Sequence, residues 1–415
     1  MRSLLPLVML VCASTSAQDC SIPFTAPQFD VRVDSNLWYG NAERFNGGLD
    51  SLRMNLYKPI GDAQTERPLV VLIHGGGFVN GHRNDLNGLS SYLASCGYAA
   101  ATISYRLGYY GNGILDAPYA YDANEFRRAA YRAMLDAKGA IRFLKGRHML
   151  DSTSTANVLA LGASAGAVTA LHAAYLDQPA EKPAGCGAIG QVQHFFNFYP
   201  RPDLGPVDGD LHLNGQDASL LGVINLFGAM LDTSYIVSSD DAALYSYHQT
   251  GDPVVGCGVQ RPYWNLGLGL SEQLPWVHGS CSIDQRMQHL GFTSERYLFN
   301  LHNGNEHTVH DPVSVLAEML PWMRALFCSL TSSVDMPQST SFSVAPNPAS
   351  SEVVITRNSS DAAMLELHDA SGRMLKQRTF AQQRFSLDTS ELPAGLYLIR
   401  LSGKDGVSSQ RLVKE

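Results

Sequence analysis

Val158-Leu159-Ala160-Leu161-Gly162-Ala163-Ser164-Ala165-Gly166, running on into Ala167-Val168-Thr169-Ala170-Leu171-His172-Ala173-Ala174, is the stretch on which the reading of this chain turns. Its first four residues form a short apolar run of the kind that makes a buried strand. Its tail is rich in alanine, a strong helix former. Gly-x-Ser-x-Gly therefore falls at a strand-to-helix turn, the one context in which the pattern has a mechanism. So tight a turn leaves no room for flanking side chains, hence the glycines. It lifts the serine hydroxyl clear of the sheet and sets it at a helix N-terminus, where backbone N–H groups favour a developing negative charge.

Working outward, further apolar runs repeat the signal. Leu69 to Ile73, Ala99 to Ser104, Leu221 to Phe227, Leu244 to Tyr247 and Arg296 to Asn300 read as strands covered on both faces. Asn124 to Lys145 has helical spacing, with Phe126, Ala130, Met134, Ala137, Ile141 and Leu144 on one side. Alternating strand-like and helix-like runs imply α/β architecture, a doubly wound and mostly parallel sheet.

The chemistry-bearing residues follow the strand ends. His74-Gly75-Gly76-Gly77-Phe78 comes directly after the first run, and three adjacent glycines expose backbone N–H groups as an oxyanion hole requires. Asp252 lies on a loop just beyond the Leu244 run, where an acid can fix the tautomer of a histidine and stabilise its charged form. Beyond the last strand, Leu301 to His310 offers His302, His307 and His310 as the base. His302 is close to the strand end. His307 follows a glycine-containing turn and is preferred, with His310 in reserve. The chain order serine, acid, histidine is that of elbow-type hydrolases. Tyr105-Arg106 reads as a structural hydrogen-bonding pair, His74 as a loop-holding residue, and Asp136 and Lys138 as solvated helix charges.

With these motifs in order, residues 18–331 resemble an α/β-hydrolase of the carboxylesterase and hormone-sensitive-lipase-like kind. The resemblance rests on His74–Phe78, Ser104-Tyr105-Arg106-Leu107, the Asp136 to Leu144 helix, Gly162–Gly166 and the Asp252 loop. It implies Ser164 as nucleophile, Asp252 as acid and His307 as base, with Gly76, Gly77 and Ala165 holding the oxyanion. Gln249 departs from the family pattern, since relatives often carry glycine after the histidine at position 248. Phe78 and the aromatic residues of two insertions, Phe196 in 182–219 and Trp264 and Trp276 in 261–282, are the candidates to line the acyl or alcohol pocket. Neither insertion reads as a long amphipathic helix, so no interfacial lipase lid is expected. The expected activity is hydrolysis of short-acyl or aromatic esters of the acetyl or feruloyl type, with neither metal nor organic cofactor. A serine peptidase on the same fold, or an inactive binding protein that keeps it, are the rivals.

Composition sets the bounds. The chain has 415 residues, 45% hydrophobic and 16% charged, with a formal net charge of −8. That suits a globular protein and, without a basic stripe, argues against nucleic-acid binding. Arg2, an apolar run from Leu4 to Cys12 and small residues to Ala17 read as a signal peptide, 1–17, too short to span a bilayer. Export makes disulfides expected among Cys20, Cys96, Cys186, Cys257, Cys281 and Cys328, with at least two pairs bridged.

Residues 332–341 are small and polar, a linker, and 342–415 switch to short alternating strands with glycine and Asn-Pro turns, the signature of a small β-sandwich. That segment resembles the type A sorting domain of the type IX secretion system, on Ala345-Pro346-Asn347-Pro348, Leu367 to Arg373, Leu392 to Leu401 and the terminal Arg411-Leu412-Val413-Lys414-Glu415. The implied partner is the type IX machinery, which passes the protein across the outer membrane to the surface or beyond. The other expected partner is a small-molecule or polysaccharide-linked ester.

Overall fold

Five of the apolar runs become inner strands of an eight-stranded sheet, while the run from Arg296 to Asn300, expected to be covered on both faces, forms a half-buried edge strand, the last of the eight. The strands are β1 (Asp30–Glu43), β2 (Leu49–Ile60), β3 (Arg67–Ile73), β4 (Ala99–Ile103), β5 (Thr153–Ala163), β6 (Gly222–Leu226), β7 (Ala243–Gln249) and β8 (Tyr297–His302). Side by side they run β1-β2-β4-β3-β5-β6-β7-β8. Every pair from β4 to β8 is parallel, while β1 and β2 pair antiparallel at one edge. This computed structural model describes residues 20–111, 120–265, 267, 269, 271–328, 342–357, 359–369, 373–403 and 406–415, with 406–409 as backbone. The expected leader and linker lie outside them.

Unbroken apolar runs are needed because successive side chains serve different faces. Leu69, Val71 and Ile73 enter one core with Met134, Ile141 and Leu171. Val70 and Leu72 enter the other with Leu93, Met319 and Met323. Three of these residues lie on α1 (Asn87–Ser95) and α5 (Pro312–Phe327), the others on α2 (Ala123–Gly146) and α3 (Ala165–Tyr175), so the sheet has helices on both faces. A further helix, α4 (Ser280–His289), follows the second insertion.

One expectation is overturned here. Asp136 and Lys138 are not solvated: they are 0% and 2% exposed. Arg106 embraces Asp136, its Nε donating to both carboxylate oxygens at 3.0 Å. Lys138 Nζ donates to the carbonyls of Leu176 and Val207 at 2.8 and 3.0 Å. The cause is the 182–219 insertion, which lies over the outer face of α2 and offers it backbone carbonyls. Arg128 donates to Gly185, Gly187 and Pro202, and Arg142 to Leu211. A row of buried cations satisfied by carbonyls takes the place of a wet helix face. The expected structural role of the Tyr105-Arg106 pair matches this geometry, since the Tyr105 hydroxyl donates to His74 O at 2.9 Å.

Two disulfides close the large unit, Cys20–Cys328 and Cys257–Cys281, while Cys96 and Cys186 are buried thiols. The unit ends at Ser329, and Leu330–Glu415 forms a second one. The second unit is all-antiparallel, a three-stranded sheet and a four-stranded sheet. Val353, Ile355 and Leu387 from the first meet Leu365, Leu367, Ile399 and Leu401 from the second in one apolar core, a small β-sandwich. No helix among the described residues is long and apolar enough to cross a membrane.

Candidate active site

At the end of β5 the chain turns into α3 through Ser164, whose φ of 56° and ψ of −123° lie where a residue with a side chain is strained. Such a conformation costs about 1–3 kcal/mol and persists only where its surroundings enforce it. Here they do. Ser164 N–H donates to Leu226 O on β6 at 2.9 Å. A Cβ on Gly162 would lie 2.1 Å from Gly166 O, and one on Gly166 would lie 2.0 Å from Ile73 O. Both glycines of the motif are therefore set by backbone contact.

The acid and the histidine come from the ends of β7 and β8, parallel neighbours with their C-termini on one rim. The structure brings the three residues together. Ser164 Oγ and His307 Nε2 are 2.7 Å apart, and His307 Nδ1 is 2.7 Å from Asp252 Oδ2. Asp252 is fully buried, and its Oδ1 accepts from the N–H groups of Val254 and Val255 at 2.8 and 2.9 Å. The Phe227 ring meets the His307 ring edge-on at 4.8 Å. His302 and His310 instead stack on each other at 4.2 Å, and His310 N–H donates to the Tyr247 hydroxyl.

Two neighbours of the acid were not assigned a role from sequence. His248 is buried behind Asp252, its Nε2 2.8 Å from Val255 O and its Nδ1 2.7 Å from Ser280 Oγ. Burial pushes its pKa down, so the ring is neutral. Gln249 is 1% exposed. Its Nε2 donates to Thr308 O at 2.9 Å and its Oε1 accepts from Glu306 N–H at 2.9 Å. One amide thus grips the backbone on both sides of His307. The departure from glycine at this position was the available signal, but its consequence depends on how close β7 and β8 lie.

The glycine loop turns back beside the serine. Val79 and Asn80 N–H groups donate to Gly76 O, and Gly77 and Ala165 line a small pocket together with Ser164. His74 is held by an Nδ1 contact of 2.8 Å to Gly75 O and by stacking on Tyr105 at 4.4 Å. Burial depresses its pKa. The pocket walls are Phe78, Phe126, Val168, Ala229, Val254, Val255, Pro262, Tyr263 and Val277.

Of the four aromatic residues expected in the pocket, Phe78 is there and the others are not. Phe196 sits at the turn between the Gln191–His194 and Asn197–Pro200 strands and is 95% exposed. As the apex side chain of that hairpin it stands in solvent and is not among the pocket walls. Trp264 spends its indole N–H on Asp252 O at 2.9 Å, and Trp276 takes the Arg261 guanidinium on its face. Their chain neighbours, Tyr263 and Val277, are the ones that reach the pocket.

A strand-to-helix serine turn after β5, with an acid and a histidine delivered from the ends of β7 and β8, defines an α/β-hydrolase. Residues 54–257 match the BD-FAE family, which belongs to the esterase and hormone-sensitive-lipase-like α/β-hydrolases. Residues 343–415 match the secretion system C-terminal sorting domain. The chain therefore carries a carboxylic ester hydrolase domain and a type IX sorting domain, which directs export. Among solved structures, native Est2, a thermophilic esterase from the Planctomycetes species Thermogutta terrifontis, is 15% identical. That match covers 74% of this chain and 95% of that one, with a TM-score of 0.45. A truncated carbohydrate esterase from gut microbiota is 14% identical over 73% of this chain and 99% of that one, with a TM-score of 0.44. No curated protein matches the chain.

Proposed function

We propose that this chain is an exported serine esterase that removes short acyl groups through an acyl-enzyme. The observation that carries the reading is the continuous relay from Ser164 Oγ through the His307 ring to Asp252, with both contacts at 2.7 Å. In this reading His307 Nε2 takes the Ser164 proton as the oxygen bonds to the ester carbonyl carbon. The carbonyl π electrons move to oxygen, and the N–H groups of Gly76, Gly77 and Ala165 hold the charge. Collapse breaks the bond to the alkoxide, which leaves with the proton from His307, and water repeats the steps on the acyl-enzyme. Buried Asp252 keeps the imidazole in the tautomer that presents Nε2 to the serine.

The pocket supports the acyl assignment. Its volume is about 20 Å³ and its walls are almost wholly apolar. Roughly 10–15 Å³ on this measure accommodates one water, so the space suits a methyl-sized group such as that of acetate. Trp264 and Trp276 are partly exposed on the chain segments next to pocket residues Tyr263 and Val277, and such rings suit a sugar on the alcohol side, as in an acetylated polysaccharide. Export through the sorting domain supports a substrate outside the cell, met by the enzyme at the surface or after release. Ser164→Ala should lower p-nitrophenyl acetate turnover by about four orders of magnitude or more and abolish labelling by a fluorophosphonate. Retention of most of the rate would overturn the assignment. Faster cleavage of peptide amides than of esters would favour the peptidase reading instead.

A further inference from the structure

Among the residues that line the Ser164 pocket, two carry a polar side chain: Ser164 itself and Tyr263. Tyr263 has φ +60°, a conformation that costs a residue with a side chain. Several contacts hold it there. Its N–H donates to Val254 O at 2.6 Å, and the next residue, Trp264, donates from its indole to Asp252 O. The disulfide Cys257–Cys281 closes the loop that contains both. The backbone of the acid loop thus directs the phenol into the pocket.

The hydroxyl ends beside the glycine loop. A Cβ on Gly77 would lie 2.4 Å from Tyr263 Oη, so position 77 has no space for any side chain while this tyrosine is present. Gly77 also has φ +61°. Among the described residues, the Tyr263 hydroxyl has no hydrogen-bond partner. Burial raises its pKa, so it remains a protonated donor across the working range. The residue is partly buried and its hydroxyl opens to the pocket, so a ligand bound there can replace water as its acceptor. Here it sits against the backbone of a proposed oxyanion residue, in the pocket of the nucleophile.

We infer that Tyr263 is a further catalytic residue, whose hydroxyl donates a hydrogen bond to the ester carbonyl oxygen as it becomes the oxyanion. No proton is transferred: the Ser164 proton still goes to His307, and Tyr263 adds a side-chain donor to the amides of Gly76, Gly77 and Ala165. The inference rests on the esterase reading above. Tyrosine hydroxyls are among the groups able to serve an oxyanion in this way. The strain at position 263 then has a function, as it brings a neutral donor to the place where charge develops. Gly77 is needed for the close approach of the phenol as well as for its own N–H.

The test is Tyr263→Phe in the full chain, with p-nitrophenyl acetate as substrate. Loss of one oxyanion donor lowers turnover roughly 10²-fold, and here kcat should fall by about that factor while KM changes less than about threefold. Thermal melting run alongside reports on folding. Should the phenylalanine variant melt early, difluorotyrosine at 263 keeps the shape and acidifies the phenol, and the kcat profile should then gain a new alkaline limb. A full kcat in Tyr263→Phe, combined with a Tyr263→Ala variant that gains butyrate and hexanoate esters, would show a pocket wall only and overturn the inference. Ser164→Ala separates the two levels. If it is silent while Tyr263→Phe is fully active, Tyr263 alone was misread. If it retains the rate, the esterase reading itself has failed.

Discussion

Replacing Gln249 by alanine tests how the proposed base is held. The native amide makes two bonds, to Thr308 O and from Glu306 N–H, each 2.9 Å long and each adjacent to His307. Each such bond contributes about 0.5–1.5 kcal/mol net, so Gln249→Ala should cost about 1–3 kcal/mol of stability. For a unit of this size that corresponds to a fall in Tm of several degrees, roughly 2–4 °C per kcal/mol. The effect on rate should be larger in proportion. Apart from the His307–Asp252 contact itself, the other tethers among the described residues run from Thr250 and Gly251 to residues 302–304 and from His310 N–H to the Tyr247 hydroxyl, each three or more residues from His307. The ring then loses its register with Ser164 and Asp252, and a displacement of about 1 Å can cost roughly 10²-fold in turnover. Steady-state kinetics on p-nitrophenyl acetate and melting curves supply the readings. We expect kcat to fall at least about tenfold with little change in KM, as positioning without substrate contact requires. A variant that melts several degrees lower yet keeps kcat within about twofold would refute the argument, leaving Gln249 as a structural stitch between loops.

Further expectations concern stability. His172 is buried and neutral, its Nδ1–H donating to Val168 O and its Nε2 accepting from Leu231 N–H. Burial depresses its pKa from 6.5 to about 4. Because the folded-state value is the lower one, its contribution is complete above the unfolded value and is lost as pH falls from 6.5 through about 4. The loss is of order 3 kcal/mol, and urea titrations at stepped pH should be less steep in that window for His172→Gln. The Cys257–Cys281 bridge spans 24 positions and encloses the Pro262-Tyr263 pocket wall. A loop of that length is worth about 3 kcal/mol in chain entropy, so the double serine variant should melt well below the parent; an unchanged Tm would mean that packing alone holds the segment.

Much of this site was legible along the chain because local pattern and chemistry coincide there. Gly162 and Gly166 are set by a turn between adjacent elements, so a five-residue motif reports it. The runs at Leu69, Ala99, Val158 and Leu244 announce parallel strands because each is covered on both faces. The antiparallel strands β1 and β2 went unread, since both mix polar and apolar residues without a clean run: β1 is the exposed edge, and β2, between β1 and β4, buries Asn55 and Lys58 among its apolar residues.

The helix 123–146 shows the opposite limit. Its Arg128, Asp136, Lys138 and Arg142 look like a wet face to any periodicity argument, because spacing reports which residues share a side and not what lies on that side. Only the folded chain lays residues 182–219 over that face and supplies the carbonyls that make buried cations tolerable. The same distinction governs the site. Residue types and their order determined that a serine, an acid and a histidine would each follow a strand of one parallel sheet. That Gln249 would grip both sides of His307, and that Tyr263 would bring a hydroxyl against Gly77, depended on contacts between segments far apart in the chain, which local sequence does not encode.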